Sequence, residues 1–404
     1  MKKSELIVIG GGASGMMAAL TAAERGTKVL LIESENRLGK KIKQSGNGRC
    51  NFTNLEMSIE HYHGFEPEFA TFAIDHFNNT DTISFFRRLG VLTRTDRDRV
   101  YPLSNSSGSV LDALRYAVNE KGAEIIASER IMTAEKNGGK FILKGVSGES
   151  YVSEYLVVAT GGIAGLKSGA GSYELLENFG HRRTKLYPSI CKIAVDSRLP
   201  KALKGVKAEV SLSLLRGEKV LSRRKGELLF WENGISGPVS FDISRAVSEF
   251  GFSNLTVSID FLSEFSQNEL FGFFRERIAY MPNLEADELF TGSLQNRLGR
   301  MLMKECGSAA AKLSDISDKE LKEIIAFAKN YRAEVLRLDS FSQSQVTAGG
   351  VETSGFEPKT MESKIIKNLF ACGEVLDIDG DCGGFNLQWA WSSGRLAGKL
   401  GRPE

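Results

Sequence analysis

The chain has 404 residues, 42% of them hydrophobic and 25% charged, and its 52 Lys and Arg against 50 Asp and Glu leave a net charge of +2. This is the composition of a globular protein, with no charge excess calling for nucleic acid or an anionic membrane as partner and no apolar run near the roughly 20 residues of a membrane span. Five cysteines (Cys50, Cys191, Cys306, Cys372, Cys382) with no CxxC pair argue against structural disulfides or a cysteine zinc site and for a reducing cytoplasm. The start MKKSELIVIGGG breaks into glycines too soon to be an export signal.

In chain order, ELIVI (5–9) reads as a short buried strand, Gly10 to Gly15 turn into the helix MMAALTAAERG, and KVLLIE is a second strand ending at Glu33. This strand–helix–strand unit carries G-x-G-x-x-G at its first turn, the arrangement that cradles a dinucleotide. Gly10 permits the turn, Gly12 lets the backbone approach a pyrophosphate, and Gly15 lets the helix pack close to the sheet. The helix N-terminus, at Ala13 and Ser14, offers unpaired N–H groups to phosphate. Glu33 suits a ribose and repels a ribose 2′-phosphate, so the expected ligand is NAD or FAD rather than NADP.

SENRLGKKIKQSGNGRCNFTN follows as a basic, glycine-bearing loop. Leaving the sheet beside the nucleotide, it is expected to touch cofactor or substrate through Lys40, Lys41, Gly46 and Arg49. Residues 66–122 read as mostly helical. AEIIASERIMTAEKNGGKFILKG reads as strands around a turn, with the Ile131 backbone placed to meet an adenine, and YLVVATGG supplies a strand leading to Thr160 and Gly161. A second stretch, GGIAGLKSGAG, lacks the G-x-G-x-x-G spacing and an acid-ended strand, so no dedicated NAD(P)H domain is visible. Residues 205–263 alternate like an antiparallel sheet and 267–338 read as helical. The expected division is a discontinuous Rossmann-like α/β domain, 1–190 with 346–404, interrupted by 191–345, of which 191–264 is antiparallel β and 265–345 mostly helical.

A second glycine turn near the end, GEVLDIDGDCGGFNLQWAWSSGRLAG from Gly373, explains why the domain needs both termini. FAD is longer than a nicotinamide nucleotide and its ring needs its own cradle. FACGEV is expected to lie next to the first strand, placing Gly373, Glu374 and Asp379 by the ribityl chain and pyrophosphate. A helix starting near Asn386, after Gly383 and Gly384, would direct its N-terminus at the flavin pyrimidine, where reduction adds negative charge.

VIGGGASGMMAA, KQSGNGRCNFTN, GELLFWENGISGP, VTAGGVETSGFEPKTMESK and GEVLDIDGDCGGFNLQWAWSSG together resemble the BaiN/YhiN-type flavoproteins. The resemblance implies FAD-dependent oxidoreductases built from a discontinuous Rossmann-like domain with an inserted β-barrel-like plus helical domain. It implies FAD contacts at Gly10, Gly12, Ser14, Gly15, Glu33, Lys41, Gly161, Gly373, Glu374, Asp379 and Asn386. It leaves the substrate open, since the family includes a bile-acid enone reductase and an aminoacetone oxidase.

The expected reaction is hydride transfer at the flavin, with NADH or NADPH as transient donor, reducing an activated C=C in a small steroid- or bile-acid-like molecule. An amine oxidase using O2 and a flavoprotein acting on RNA are the alternatives. No catalytic acid or base stands out, because the flavin itself carries the redox chemistry. His61 and His63 in HYH share a strand face, a possible metal pair, but without carboxylate or Cys partners a surface loop is expected and no metal. Arg99 and Tyr101 read as an ordinary ion pair and a core ring. Cys50 reads as a small buried hydrophobe.

Overall fold

The computed structural model describes residues 1–165 and 173–402. The chain divides into two compact units, Met1–Tyr187 with Gln345–Glu404, and Pro188–Ser344.

The first unit is built on a five-stranded parallel sheet. Its elements in chain order are β1 (Leu6–Ile9), α1 (Ala13–Glu24), β2 (Val29–Ile32), α2 (Lys40–Gln44), α3 (Ser107–Glu120), β3 (Glu124–Ile126), β4 (Tyr155–Val158), β5 (Leu369–Ala371) and α4 (Phe385–Gly398). The strand order is β5-β4-β1-β2-β3 with every pairing parallel. β1 and β2 are buried along their whole length, as strands of a sheet covered on both faces must be, hence their unbroken aliphatic runs. The FACGEV strand does not lie beside the first strand: β4 takes that edge of β1, and β5 pairs with β4. A separate four-stranded sheet of Lys2–Lys3, Ser150–Ser153, Lys140–Gly145 and Ile131–Asn137 adjoins the parallel sheet, and a three-stranded sheet of Thr53–Asn54, Arg99–Pro102 and Thr93–Asp96 falls partly where residues 66–122 were read as mostly helical. The expected loop after Glu33 contains the short helix α2, anchored by buried Ile42.

α1 and α4 hold the two ends of the chain together. A Cβ on Gly394 would lie 2.4 Å from the Ser14 carbonyl oxygen, and one on Gly398 would lie 2.5 Å from that of Ala18. Contacts 14 to 394 and 18 to 398 advance together, so the helices run parallel and in register, each missing side chain letting one backbone rest on the other. Buried Trp389 and Trp391 fill the rest of α4's surroundings.

The second unit contains a closed antiparallel barrel, in the order Ile193–Asp196, Gly234–Ser236, Lys219–Trp231, Lys207–Arg216, Leu255–Asp260 and Tyr331–Leu338. Helices Pro238–Phe250, Gln267–Tyr280, Asn296–Glu305 and Asp318–Lys329 accompany it. The strand Tyr331–Leu338 falls where the sequence was read as helix. It closes the barrel by pairing with Ile193–Asp196 on one side and Leu255–Asp260 on the other. Its burial alternates, with Tyr331, Ala333 and Val335 inward, which is a period of two rather than 3.6.

Candidate functional site

The site forms at the carboxyl ends of β1, β4 and β5. Gly10 has φ +103°, and a Cβ there would lie 2.4 Å from the Ala159 carbonyl oxygen, so the turn out of β1 tolerates no side chain. Gly12 caps α1 with no side-chain hydrogen bond, and a Cβ there would meet nothing within 4 Å. The first turn of α1 therefore faces open space with the unpaired donors every helix N-terminus carries.

Glu33 is buried at the end of β2. The Gly11 N–H donates to its Oε2 at 2.7 Å, while the Glu35 N–H and the Ser34 hydroxyl donate to Oε1 at 2.8 and 3.0 Å. Oε1 is thus filled by two donors, while Oε2 retains a lone pair for a ribose hydroxyl. Ile131 opens its strand just after Ser128 and Glu129, whose N–H groups donate to the Glu35 and Glu33 carbonyls. The chain leading to Ile131 thus runs beside Glu33.

Three segments meet at Lys41. From α2 its ammonium donates to Glu374 Oε2 at 2.8 Å and to the Gly162 carbonyl at 3.0 Å. Glu374 Oε1 in turn accepts from the Thr347 N–H at 2.8 Å. Gly161, at φ +69°, turns the chain next to this pair. Gly373 rests on α1: Ser14 donates to the Cys372 carbonyl at 3.3 Å, and Ser393 of α4 accepts from the Gly373 N–H at 3.0 Å.

The loop into α4 is held from several directions. Asn54 Nδ2 donates to the Gly383 carbonyl at 2.9 Å and Arg99 Nη2 to the Cys382 carbonyl at 3.3 Å. Asn386 clamps Gly380 with both ends of its amide. Asp379 is buried in a short strand against Tyr62–His63. Gly384, at φ +103°, caps α4, again with no side-chain hydrogen bond, and the Asn386 and Leu387 N–H groups find no acceptor among the described residues.

Several residues of the basic loop lie elsewhere. The Lys40 ammonium is committed to Glu35 at 2.7 Å in an exposed pair, and exposed Arg49 stands over the Tyr101 ring at 4.9 Å. The loop reaches the site instead through Lys41, through Gly46, which turns at φ +56° against Asn51, and through Asn51 beside Gly384. Tyr101 is a buried ring, and Arg99 Nη2 also reaches the loop into α4. Cys50 is buried and burial pushes its thiol up to about 12, which leaves it inert. Of the glycine stretch after Gly161, residues 166–172 lie outside the described residues.

Two features test whether these residues fit FAD. Thr160 Oγ1 and Asn51 Oδ1 are buried without a partner, one at the end of β4 and the other beside the α4 N-terminus. α4 also begins nine residues before Gly394, and α1 one residue before Ser14, so the α4 N-terminus projects eight residues, about 12 Å, beyond that of α1. Two anion-favouring helix ends staggered along one direction match a ligand with a pyrophosphate at one point and a chargeable ring farther on. The residues fit FAD: Gly12 to Gly15 and Glu33 would hold the adenosine diphosphate, and Lys41, Glu374, Asn51 and the α4 N-terminus would surround the rest.

The family model for the HI0933-like protein Rossmann domain matches residues 4–400. The chain belongs to that family. It is 32% identical over 399 residues, 97% of each chain, to the 3-dehydro-bile acid delta(4,6)-reductase of Clostridium scindens. It is 30% identical, over 96% of each chain, to a ribosomal RNA dihydrouridine synthase of Haemophilus influenzae. In fold it is similar to a flavocytochrome c3 fumarate reductase in its open conformation, with a TM-score of 0.51 at 16% identity over 99% of this chain and 78% of that one. Like the HI0933-like family, the protein is an FAD-dependent oxidoreductase. Among the described residues no helix is long and apolar enough to cross a membrane.

Proposed function

We propose that this HI0933-like protein reduces a carbon–carbon double bond conjugated to a carbonyl, with NADH or NADPH as electron source and a small steroid-like enone as substrate. The observation that carries the reading is the open N-terminus of α4, with the Asn386 and Leu387 N–H groups unpaired beside the orphaned Asn51 Oδ1. Such a helix end favours negative charge where a two-electron carrier gains it. Bound FAD supplies the hydride. The chain's own groups hold the ring, exclude water through the buried Tyr62, Phe385 and Trp389, and fix Glu374 through Lys41 and Thr347.

The names of the two curated relatives support the bond type. A delta(4,6)-reductase and a dihydrouridine synthase each saturate a C=C next to a carbonyl, in a steroid ring and in uracil. A uridine in RNA is the second reading, favoured by the ribosomal RNA relative and by exposed Arg223, Arg224 and Lys225 on one barrel strand. The near-neutral net charge favours the small molecule. The test is anaerobic. NADH or NADPH should bleach the bound flavin, a 4-en-3-one steroid should restore its colour, and the steroid should gain two hydrogens by mass. Colour restored by a uridine-containing ribosomal RNA fragment and not by the steroid selects RNA. A flavin that neither compound reoxidises defeats the reading.

A further inference from the structure

The two histidines of HYH are not a plain surface loop. Tyr62–His63 pairs antiparallel with Asp379–Gly380, and the next residue, Asp381, donates its N–H to the His61 carbonyl at 2.9 Å. The Asp381 side chain then lies between both imidazoles, with Oδ2 3.0 Å from His61 Nδ1 and Oδ1 2.7 Å from His63 Nε2. An ionised carboxylate only accepts, so each of those nitrogens carries a proton. The carboxylate is the deep member, its side chain 14% exposed against 35% and 26% for His61 and His63. The opposite ring atoms, His61 Nε2 and His63 Nδ1, have no partner among the described residues. No group of three or more His, Cys, Asp or Glu among the described residues is arranged to hold a metal ion, and here the two nitrogens go to different oxygens of one carboxylate.

This cluster adjoins the site. The His61 ring stacks on Phe385, the first residue of α4, at 4.2 Å and 20°. Asn386 Nδ2 reaches the Asp381 carbonyl at 3.4 Å. The charged and titratable groups around it are Arg99, bound to the Cys382 carbonyl, Cys382 itself, Asp379 opposite His63, Asp377, which accepts from the Phe65 N–H, and Tyr62, whose hydroxyl donates to the Phe385 carbonyl. His61 is therefore oriented by a carboxylate, held flat by a ring, and open at its far nitrogen. That is the arrangement of an imidazole that transfers protons.

We propose that His61, positioned by Asp381, is the proton donor of the reduction. The role rests on the enone reading above. The β-carbon of the conjugated C=C takes a hydride, with its electron pair, from the reduced cofactor. The α-carbon takes the proton from Nε2 of the His61 imidazolium, which recovers one from solvent. The sum is one hydride and one proton added across the double bond, with the cofactor oxidised by two electrons. His63 bonds the other oxygen of the same carboxylate and so fixes its aim at His61.

The test uses holoenzyme reduced anaerobically with dithionite, then mixed with a 4-en-3-one steroid or with cyclohex-2-enone while the return of oxidised flavin is followed. His61→Gln should slow that return by about 10²- to 10⁴-fold, with FAD content and reduction by dithionite unchanged. The wild-type rate should fall as pH rises, because the donor must carry its proton, and should show a solvent deuterium isotope effect. The His61→Gln rate should be flat over the same range and partly restored by added imidazole. Asp381→Asn should act in the same direction and abolish the downfield His61 Nδ1 proton resonance, a readout that needs neither substrate nor turnover. If His61→Gln does not retain FAD, the wild-type pH and isotope profiles and the Asp381→Asn spectrum decide. Wild-type reoxidation matched by His61→Gln at every pH, or full loss in His63→Gln with none in His61→Gln, overturns the assignment alone. No reoxidation of the wild type by either probe overturns the enone reading and this role with it.

Discussion

Replacing Gly394 by Ala tests whether the nucleotide site depends on the contact between α1 and α4. The new Cβ would stand 2.4 Å from the Ser14 carbonyl oxygen, where ordinary contact begins at 3.4 Å, so the helices must part by about 1 Å. Overpacking of this kind costs about 1–3 kcal/mol. Without ligand the helices relieve much of it by drifting apart. FAD bound to both N-termini forbids that drift, so the cost falls on binding. If all of it does so, the FAD dissociation constant rises about 5- to 150-fold. Any cost kept by the FAD-free protein lowers the melting temperature of the first unit by about 2–4 °C per kcal/mol. Equilibrium titration of FAD-free protein by flavin fluorescence, with thermal melts beside it, reads both quantities. Gly272→Ala is the control: it is an exposed position of the helix Gln267–Tyr280, a Cβ there meets nothing within 4 Å, and it should stabilise by about 0.5–1 kcal/mol. Wild-type FAD affinity and melting temperature in Gly394→Ala would refute the reasoning.

Thr160→Val removes a buried hydroxyl that has no protein partner. The FAD-free protein should be unchanged or more stable while FAD binds about 5- to 150-fold more weakly, reflecting about 1–3 kcal/mol for a lost buried hydrogen bond; unchanged affinity would place Thr160 outside the FAD site. His181 is buried, stacked on Phe356 and bonded to Ser363, and burial lowers its pKa from 6.5 to about 4. The unfolded chain therefore protonates first as pH falls, and about 3 kcal/mol of stability disappears between pH 6.5 and about 4. Denaturation midpoints of wild type and His181→Gln at both ends of that window should diverge, and parallel curves would contradict the depressed pKa. Cys50, Cys191 and Cys372 are buried, with thiols pushed up to about 12, so native protein should react with a thiol reagent only at the partly exposed Cys306 and Cys382. Labelling of a third thiol before unfolding would count against that burial.

The β1–α1–β2 unit was readable because its signals are local: an aliphatic run, a glycine spacing and an acid-ended strand within 30 or so residues. The α4 N-terminus was readable for the same reason, through Gly383 and Gly384. The strand Tyr331–Leu338 was not, because it directly follows the charged helix Asp318–Lys329 and its alternation is short enough to pass for more helix. Its pairing partners in the barrel lie far away in sequence. Lys40 and Lys41 are adjacent and chemically identical, so only the turn of α2 decides that one meets Glu35 and the other Glu374. The carboxylate serving His61 and His63 lies more than 300 residues along the chain, beyond any spacing argument. The α1–α4 contact did leave a trace: Gly394 and Gly398 repeat the four-residue interval of Ser14 and Ala18.

Because β5 and α4 supply the last strand of the parallel sheet and the second helix end, synthesis reaches them only at Leu369 and Phe385. A nascent chain that has already made β1 to β4 and the entire barrel still lacks half of its flavin cradle. Cofactor capture thus waits for β5 and α4. Until they emerge, the small-residue face of α1 has no partner and is open to misassociation.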